Sequence, residues 1–161
     1  MRQKINEGFV NTTTNYFSYP FIKRGQGYPT GTTPSTRFDN PIACDIQLSR
    51  STATSTSASA YKLRIRFPEL DIEKVLFIIA AIRSPISEYA LVVLNQFEKD
   101  WGAKFYLTTK TFNSVSTSTA VDIFDSHSVI LNTTYWDAWF GTTTPETYVS
   151  DFYVDVVYLN I

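Results

Sequence analysis

Two stretches of strict two-residue alternation constrain the fold of this chain more than any other feature of its sequence. Apolar side chains occupy every second position from Tyr61 to Phe67, where they alternate with three cations, and again from Phe152 to Tyr158. Side chains of a β-strand alternate between two faces, whereas an amphipathic helix repeats every 3.6 residues. The pattern predicts two strands, the first with a basic outer face and the second with a partly acidic one. If the two strands pair, cross-strand ion pairs would help to fix their register.

The composition and the remaining patterns favour the same structural class. The 161 residues include 21 Thr, 12 Phe and 10 Tyr, residue types that are enriched in strands. Residues 104–110 alternate again, and residues 120–133 have the pattern of a hairpin around Asp125 to Ser128. Short strands separated by frequent turn signals predict an all-β fold, an antiparallel β-sandwich of jelly-roll type.

Residues 70–100 allow two interpretations. One is a helical hairpin, with Ser84-Pro85 as a helix start and an apolar stripe at helical spacing. The members of that stripe are Ile86, Tyr89, Ala90, Val93, Leu94 and Phe97. The other interpretation is two strands joined at residues 84–87, because Val75 to Ile79 has no polar face and suits a strand buried on both faces. We favour the two strands.

The first 45 residues differ from the rest of the chain. Residues 20–41 contain three of the six Gly and four of the seven Pro. Proline fixes its own φ and biases the preceding residue towards extended conformations. We therefore expect residues 1–45 to form an extended N-terminal arm, which wraps its own sheet or reaches a neighbour, and residues 46–161 to form one β-sandwich domain. Residues 49–60, rich in Ser, Thr and Ala, are expected to form a solvated loop.

No motif of a catalytic or cofactor-binding site is present. Asp125 and Ser126 flank His127, but neighbours in a tight turn cannot be assumed to align as a catalytic triad, and we expect an exposed turn histidine. Cys44 is the only cysteine, which excludes an intrachain disulfide and a cysteine zinc cluster and suggests a buried apolar role. Residues 25–31 lack the Lys-Ser/Thr of a phosphate loop, and the aspartates lack EF-hand spacing. We predict a protein that is not an enzyme and has no metal or cofactor.

The densest aromatic cluster spans residues 135–140. It is interpreted either as a plug or subunit interface, or as a platform on which a sugar ring stacks. The residues of such a platform would be Tyr135, Trp136, Asp137 and Trp139. A carbohydrate-binding β-sandwich module is therefore the alternative function.

The near-zero net charge hides two opposite halves. Residues 1–66 have nine Lys/Arg against three Asp/Glu, a formal +6, and residues 67–161 have five against twelve, a formal −7. No nucleic-acid-binding module is recognisable, so nucleic acid is not an expected partner. Opposite charge suits head-to-tail contacts between subunits. The predicted assembly residues are Lys23, Arg24, Lys62, Arg64, Arg66, Asp151 and Asp155.

The apolar runs of the chain are short. The longest, Val75 to Ile82, is far below the roughly 20 residues that span a bilayer, and the N-terminal sequence lacks the apolar core of a signal peptide. We expect a protein made in the cytoplasm and no membrane partner.

The segment up to Pro41, the loop at 49–60 and the closing strand from Asp151 to Ile161 together resemble β-sandwich structural proteins of viral particles. The resemblance is to bacteriophage capsid, decoration and head–tail components in particular. It implies a non-enzymatic structural subunit of a virion, made in the host cytoplasm, that assembles with itself and with other structural proteins of the particle.

Overall fold

The fold of the chain is all-β. A computed structural model describes residues 21–50, 61–83, 89–97, 100–108, 112–115, 120–133 and 147–161. Within these ranges lie nine strands of six or more residues, two shorter strands and one 3-10 turn at Ile72–Lys74, without an α-helix. The strands are β1 (Ile22–Pro29), β2 (Pro41–Arg50), β3 (Tyr61–Arg66), β4 (Val75–Arg83), β5 (Tyr89–Phe97), β6 (Asp100–Thr108), β7 (Phe112–Val115), β8 (Ala120–Asp125), β9 (Ser128–Thr133), β10 (Thr147–Val149) and β11 (Phe152–Leu159). The described residues contain no helix long and apolar enough to cross a membrane.

The strands form a single mixed sheet that nearly closes into a barrel. Their order is β7-β6-β5-β4-β11-β1-β2-β3-β9-β8, and β10 pairs with β2. The two ends of the sheet approach each other where β6 lies near β8. Pairs are antiparallel except for β1 and β2, which run parallel with Gln26 opposite Pro41. The predicted all-β class is confirmed, whereas a purely antiparallel arrangement is not.

The core lies inside this curved sheet. Alternate residues of the long strands point inwards, and the largest fully buried side chains are Phe67, Ile46, Leu63, Ile65, Ile72, Ile78, Ile82, Leu94 and Leu131. Each such side chain contributes about 1.5–3 kcal/mol through removal of its apolar surface from water. Cys44 is also fully buried, as predicted, and burial raises the pKa of its thiol well above its ordinary value.

In β3 and β11, alternate side chains point into the core and away from it, as the sequence pattern predicted. Leu63 and Ile65 are buried, the cations of β3 point outwards, and Val154 and Val156 of β11 are buried in the same core. The two strands do not pair with each other, because β3 lies between β2 and β9 while β11 lies between β1 and β4.

Two antiparallel strands, β4 and β5, occupy residues 75–97. Their register runs from Phe77 opposite Asn95 to Arg83 opposite Tyr89. The two-strand interpretation is confirmed and the helical hairpin is wrong, because a run of apolar, largely β-branched residues fits a central strand better than a helix with a polar face. The connection at 84–88 lies outside the described residues.

Much of residues 21–45 belongs to the sheet, and only residues 30–40 between β1 and β2 are turns and irregular backbone. Residues 22–29 form β1 between β11 and β2, and the predicted domain boundary after residue 45 falls inside β2. Gly25 and Gly27 face the core, where a Cβ at Gly25 would clash with the Ile42 side chain. These glycines therefore permit close packing of a strand rather than a flexible linker. Residues 1–20 and 51–60 lie outside the described residues, so an arm within the former and a loop in the latter stay predictions.

The predicted hairpin of residues 120–133 is confirmed. β8 and β9 pair from Ala120 opposite Asn132 onwards and are joined by a turn at Ser126 and His127. The register shifts between Ile123 and Asp125, so Phe124 is a bulge residue on the last strand of the sheet.

Candidate functional site

The cations predicted to meet other subunits largely have partners within the chain. Two pairs link neighbouring strands: Arg24 with Asp155 at 2.8 Å and Arg66 with Asp45 at 3.6 Å. A third, Arg64 with Asp125 at 2.7 Å, joins β3 to β8 across the intervening strand β9. A fourth joins Arg83 to Asp151 at 3.4 Å. Lys23 and Lys62 have no ion-pair partner in the part of the chain that the structure describes.

Arg24 and Asp155 form the centre of a small cluster on the outer surface of β1 and β11. Nε and Nη2 of Arg24 donate to the same Asp155 oxygen at 3.2 and 2.8 Å, and the Tyr153 hydroxyl donates to it at 3.3 Å. The hydrogen bond and the charge of Asp155 raise the pKa of Arg24. The side chain of Arg24 is 59% exposed, so water screens this attraction strongly.

A second polar cluster surrounds Asp125 at the β8–β9 turn. Its Oδ1 accepts from the Ser128 hydroxyl at 2.6 Å and from the backbone N–H of His127 at 2.8 Å. Its Oδ2 accepts from Arg64 Nη2 at 2.7 Å. These bonds, that of Ser128 foremost, lower the pKa of Asp125. The Arg64 guanidinium also lies 4.4 Å from the centre of the Phe124 ring, within the range of a cation–π contact.

His127 is a structural residue and not the exposed turn residue that the sequence suggested. It is half-buried, and its Nδ1 lies 2.6 Å from the carbonyl oxygen of Leu70, so that nitrogen must be the protonated one. Its own carbonyl accepts from the backbone N–H of Phe67 at 2.8 Å, and the Ser126 carbonyl accepts from Ile72 at 2.8 Å. The turn thus holds the connection between β3 and β4. Asp125 binds the backbone of His127 rather than its ring, which differs from the geometry of a catalytic triad.

An open groove of about 430 Å³ lies between the end of β1 and the end of β10, which pair with the same edge of β2. It is lined by Pro29, Thr30, Thr32, Asp45, Ile46, Val149 and Ser150. The Asp45 carboxylate already accepts from the backbone N–H of Thr30 at 3.2 Å and faces Arg66. No local pattern predicted this groove, because it arises from the pairing of β2 with two strands that are far apart in the chain. Among the residues that the structure describes, no three His, Cys, Asp or Glu side chains are grouped to hold a metal ion.

Among the described residues, large apolar side chains other than Tyr153 are exposed at two separate places. On β8, Ile123 and Phe124 are 48% and 54% exposed, and we call these two residues the β8 patch. Phe21, Ile22 and Ile161 are 43%, 36% and 77% exposed and lie together, because the carbonyl of Phe21 accepts from the N–H of Asn160. We call these three residues the terminal patch.

A third apolar surface covers the outside of β11, β4 and β5. We call it the outer sheet face; its residues are Phe77, Ile79, Ala81, Leu91, Val93 and Val157, all half-buried. Each lies on the opposite side of its strand from a fully buried neighbour, for example Ile79 beside Ile78. The lack of a polar face in β4 was the sequence signal for this surface.

The aromatic cluster Tyr135, Trp136, Asp137 and Trp139 lies outside the described residues. The proposed carbohydrate platform therefore has no structural counterpart to compare. Known protein families, curated proteins and solved structures show no match to this chain.

Proposed function

We propose that this chain is a non-enzymatic structural subunit of a virus particle that associates with itself. The observation that supports this most strongly is the presence of two separate exposed apolar patches, the β8 patch and the terminal patch. Grouped exposed apolar side chains on a soluble domain mark sites of contact with other molecules. Phe21, Ile22 and Ile161 lie at one corner of the molecule. Ile123 and Phe124 are neighbours on the last strand of the sheet, where Ile123 pairs with Val129 and Phe124 lies against the outward-pointing Arg64.

Two patches at different places suit a contact between unlike surfaces. When one surface of a subunit binds a different surface of the next, the assembly closes into a ring or extends as a lattice. The predicted charge contacts have a smaller role in this proposal, because Arg24, Arg64, Arg66, Asp151 and Asp155 are already paired within the chain. Lys23 and Lys62, which have no ion-pair partner among the described residues, would contact acidic groups of neighbouring subunits.

We also propose how the strands are arranged in layers. The first half of β2 pairs with β1, and the second half pairs with β3 and β10, so β2 joins two groups of strands. This supports two packed layers, a β-sandwich of jelly-roll type.

Residues 1–20 would be an arm that reaches a neighbouring subunit from the terminal patch. A place in the virion, as capsid, decoration or head–tail component beside other structural proteins, rests on the resemblance of the sequence.

The mass of the full-length protein in solution tests self-association. We expect light scattering to give a mass that is a multiple of the monomer and rises with concentration. Because the patches are apolar, high salt should preserve the association rather than abolish it. A monomer at every concentration, in low and in high salt, would contradict the proposal.

A pair of variants tests the β8 patch. Phe124→Ser should reduce the associated fraction, whereas Phe38→Ser, which changes a half-buried aromatic residue outside both patches, should leave it unchanged. Equal effects of the two substitutions would count against a contact at β8.

A further inference from the structure

We propose that a cluster on the outer surface of β1 and β11 is a binding site for a neutral saccharide. Its residues are Arg24, Gln26, Tyr153 and Asp155. The sugar would stack on the exposed ring of Tyr153 and form hydrogen bonds with polar atoms of the cluster that have no partner. This inference goes beyond the proposed function and does not depend on it, and the site is distinct from the aromatic residues 135–140.

Tyr153 presents an aromatic ring to solvent in a fixed position. The residue is 41% exposed. Its hydroxyl accepts from Arg24 Nη2 at 3.3 Å and donates to Asp155 Oδ1 at 3.3 Å, so the ring is held at its outer end. A side chain that is already ordered loses little conformational freedom when a ligand packs on it. Part of this ring is therefore available as a preorganised stacking surface.

The strand register brings the four side chains of the cluster together. Gln26 lies directly opposite Asp155, and Arg24 lies opposite Val157, on the diagonal from Asp155. Directly opposite residues of an antiparallel pair have Cβ atoms about 4.5–5.5 Å apart, and diagonal neighbours are about 7–8 Å apart. Tyr153 follows on the same face of β11 and reaches Arg24 and Asp155 through its hydroxyl. The cluster is thus a small patch that a single sugar ring can span.

Three polar groups of the cluster have unused hydrogen-bonding capacity. The two Arg24 nitrogens that bind Asp155 both donate to Oδ1. Gln26 accepts through Oε1 from the backbone N–H of Asp39 at 2.9 Å. Within the described residues, Asp155 Oδ2 is therefore an acceptor without a partner, and Arg24 Nη1 and Gln26 Nε2 are donors without one.

These groups match the hydroxyls of a neutral sugar. A hydroxyl both donates and accepts hydrogen bonds, so neighbouring hydroxyls of one ring can bind an acceptor and the donors beside it at the same time. The Arg24–Asp155 pair has no net charge, which disfavours a phosphate or a metal cation as the ligand. A few placed polar groups next to an aromatic surface are typical of small-molecule sites.

The cluster around Asp125 has similar residue types but lacks this capacity. There Arg64 binds the carboxylate and lies over the ring of Phe124. Both oxygens of Asp125 are occupied, Oδ1 by the Ser128 hydroxyl and the backbone N–H of His127, and Oδ2 by Arg64. A sugar hydroxyl would have to displace one of these bonds. The contrast favours the β1–β11 cluster as the site and supplies a matched control.

Binding of simple sugars to the full-length protein tests the proposal. The probes are the methyl glycosides of glucose, galactose, mannose and N-acetylglucosamine, measured by saturation-transfer NMR. Each has about a dozen heavy atoms, and at ordinary ligand efficiency its Kd should be about 1 mM. Binding of any of these sugars supports the proposal.

Two results with the wild-type protein would overturn this inference. One is the absence of binding by every sugar well above the expected Kd, and the other is binding of inorganic phosphate but of no sugar. Both would leave the proposed function intact, because that proposal is tested by the mass in solution. A monomer by light scattering would contradict the proposed function and not this site.

Variants of the two aspartate clusters locate the bound sugar. Tyr153→Ala and Asp155→Ala should each raise the Kd at least about 10-fold, because they remove the stacking surface and the unpaired acceptor. Tyr153→Phe keeps the ring and should bind more tightly than Tyr153→Ala. The control Asp125→Ala should leave the Kd unchanged, and circular dichroism should show the same strand content in all variants. Wild-type affinity of a folded Tyr153→Ala protein, or equal losses for Asp125→Ala and Asp155→Ala, would overturn the proposal.

Discussion

The outward-facing residues of β3 and β4 belong to the same sheet and have opposite chemistry. Those of β3 are Lys62, Arg64 and Arg66; Arg64 forms an ion pair with Asp125 of β8, and Arg66 forms one with Asp45 of β2. Those of β4 are Phe77, Ile79 and Ala81, which are apolar and half-buried, and the exposed Arg83 at the end of the strand. The difference teaches that buried inner faces stabilise the fold in both strands, whereas the chemistry of the outer face varies along the sheet, charged on β3 and mainly apolar on β4.

The largest expected effect is a difference in unfolding free energy between substitutions on the inner and outer faces of β4. Ile78→Ala should lower the free energy of unfolding by about 2–5 kcal/mol, because it leaves a cavity in the core where Ile78 is fully buried. Ile79→Ala, one residue further on the outer face, should cost the monomer about 1 kcal/mol or less, because water can occupy the space. Urea unfolding at low protein concentration measures both. Equal losses would show that the two faces of β4 are buried alike.

A smaller effect is expected on the outer face of β3. Arg64→Ala removes the hydrogen bonds to Asp125 and Ser128 and the contact with the Phe124 ring. We expect a loss of about 1–2 kcal/mol in urea unfolding, because these polar groups are only partly buried and water replaces some of the lost bonds. Lys62→Ala on the same face, without an ion pair, should cost less than about 0.5 kcal/mol. A loss for Lys62→Ala as large as that for Arg64→Ala would mean that the cluster around Asp125 adds little.

The smallest effect is a pH dependence at Asp125. The hydrogen bonds of its carboxylate lower its pKa in the folded protein below the ordinary 3.8. Its stabilising contribution is therefore fully present above the unfolded pKa and is lost as the pH falls through the folded pKa. Because the side chain is 40% exposed, that contribution should be below about 1 kcal/mol.

The variant Asp125→Asn isolates this contribution from those of the other acids. The difference in unfolding free energy between wild type and Asp125→Asn should be larger at pH 7 than at pH 3. A difference that is the same at both pH values would contradict the lowered pKa. His127→Ala should instead destabilise at both pH values, because it removes the bond to the Leu70 carbonyl.

Local patterns predicted several elements correctly. The alternation of residues 61–67 and 152–158 gave β3 and β11 with the correct inner faces, and the apolar run from Val75 gave a central strand. These predictions succeeded because the orientation of side chains along a strand depends on the strand alone. The turn at Ser126 and His127 was also evident from its sequence.

The environment of single residues was harder to predict. His127 lies in the predicted turn, but its half-burial follows from contact with Leu70, 57 residues earlier in the chain. The glycines and prolines of residues 20–41 suggested an irregular arm, yet Gly27 packs against Val154, and Pro29 and Pro41 lie at strand ends. A glycine that is needed for close packing and one that makes a chain flexible look the same in sequence.

The sequence by itself determined that the chain is all-β, which side of β3 and β11 faces the core, and that the run from Val75 to Ile82 is apolar on both sides. Only the structure decided which side of β4 is fully buried. Only the tertiary structure decided which strands are neighbours, that β1 and β2 run parallel, and that Arg24 meets Asp155 across 131 positions of sequence. The physical reason is that alternation is a property of one strand, whereas pairing is a choice among many strands of similar composition. That choice depends on how all of them close together around one core.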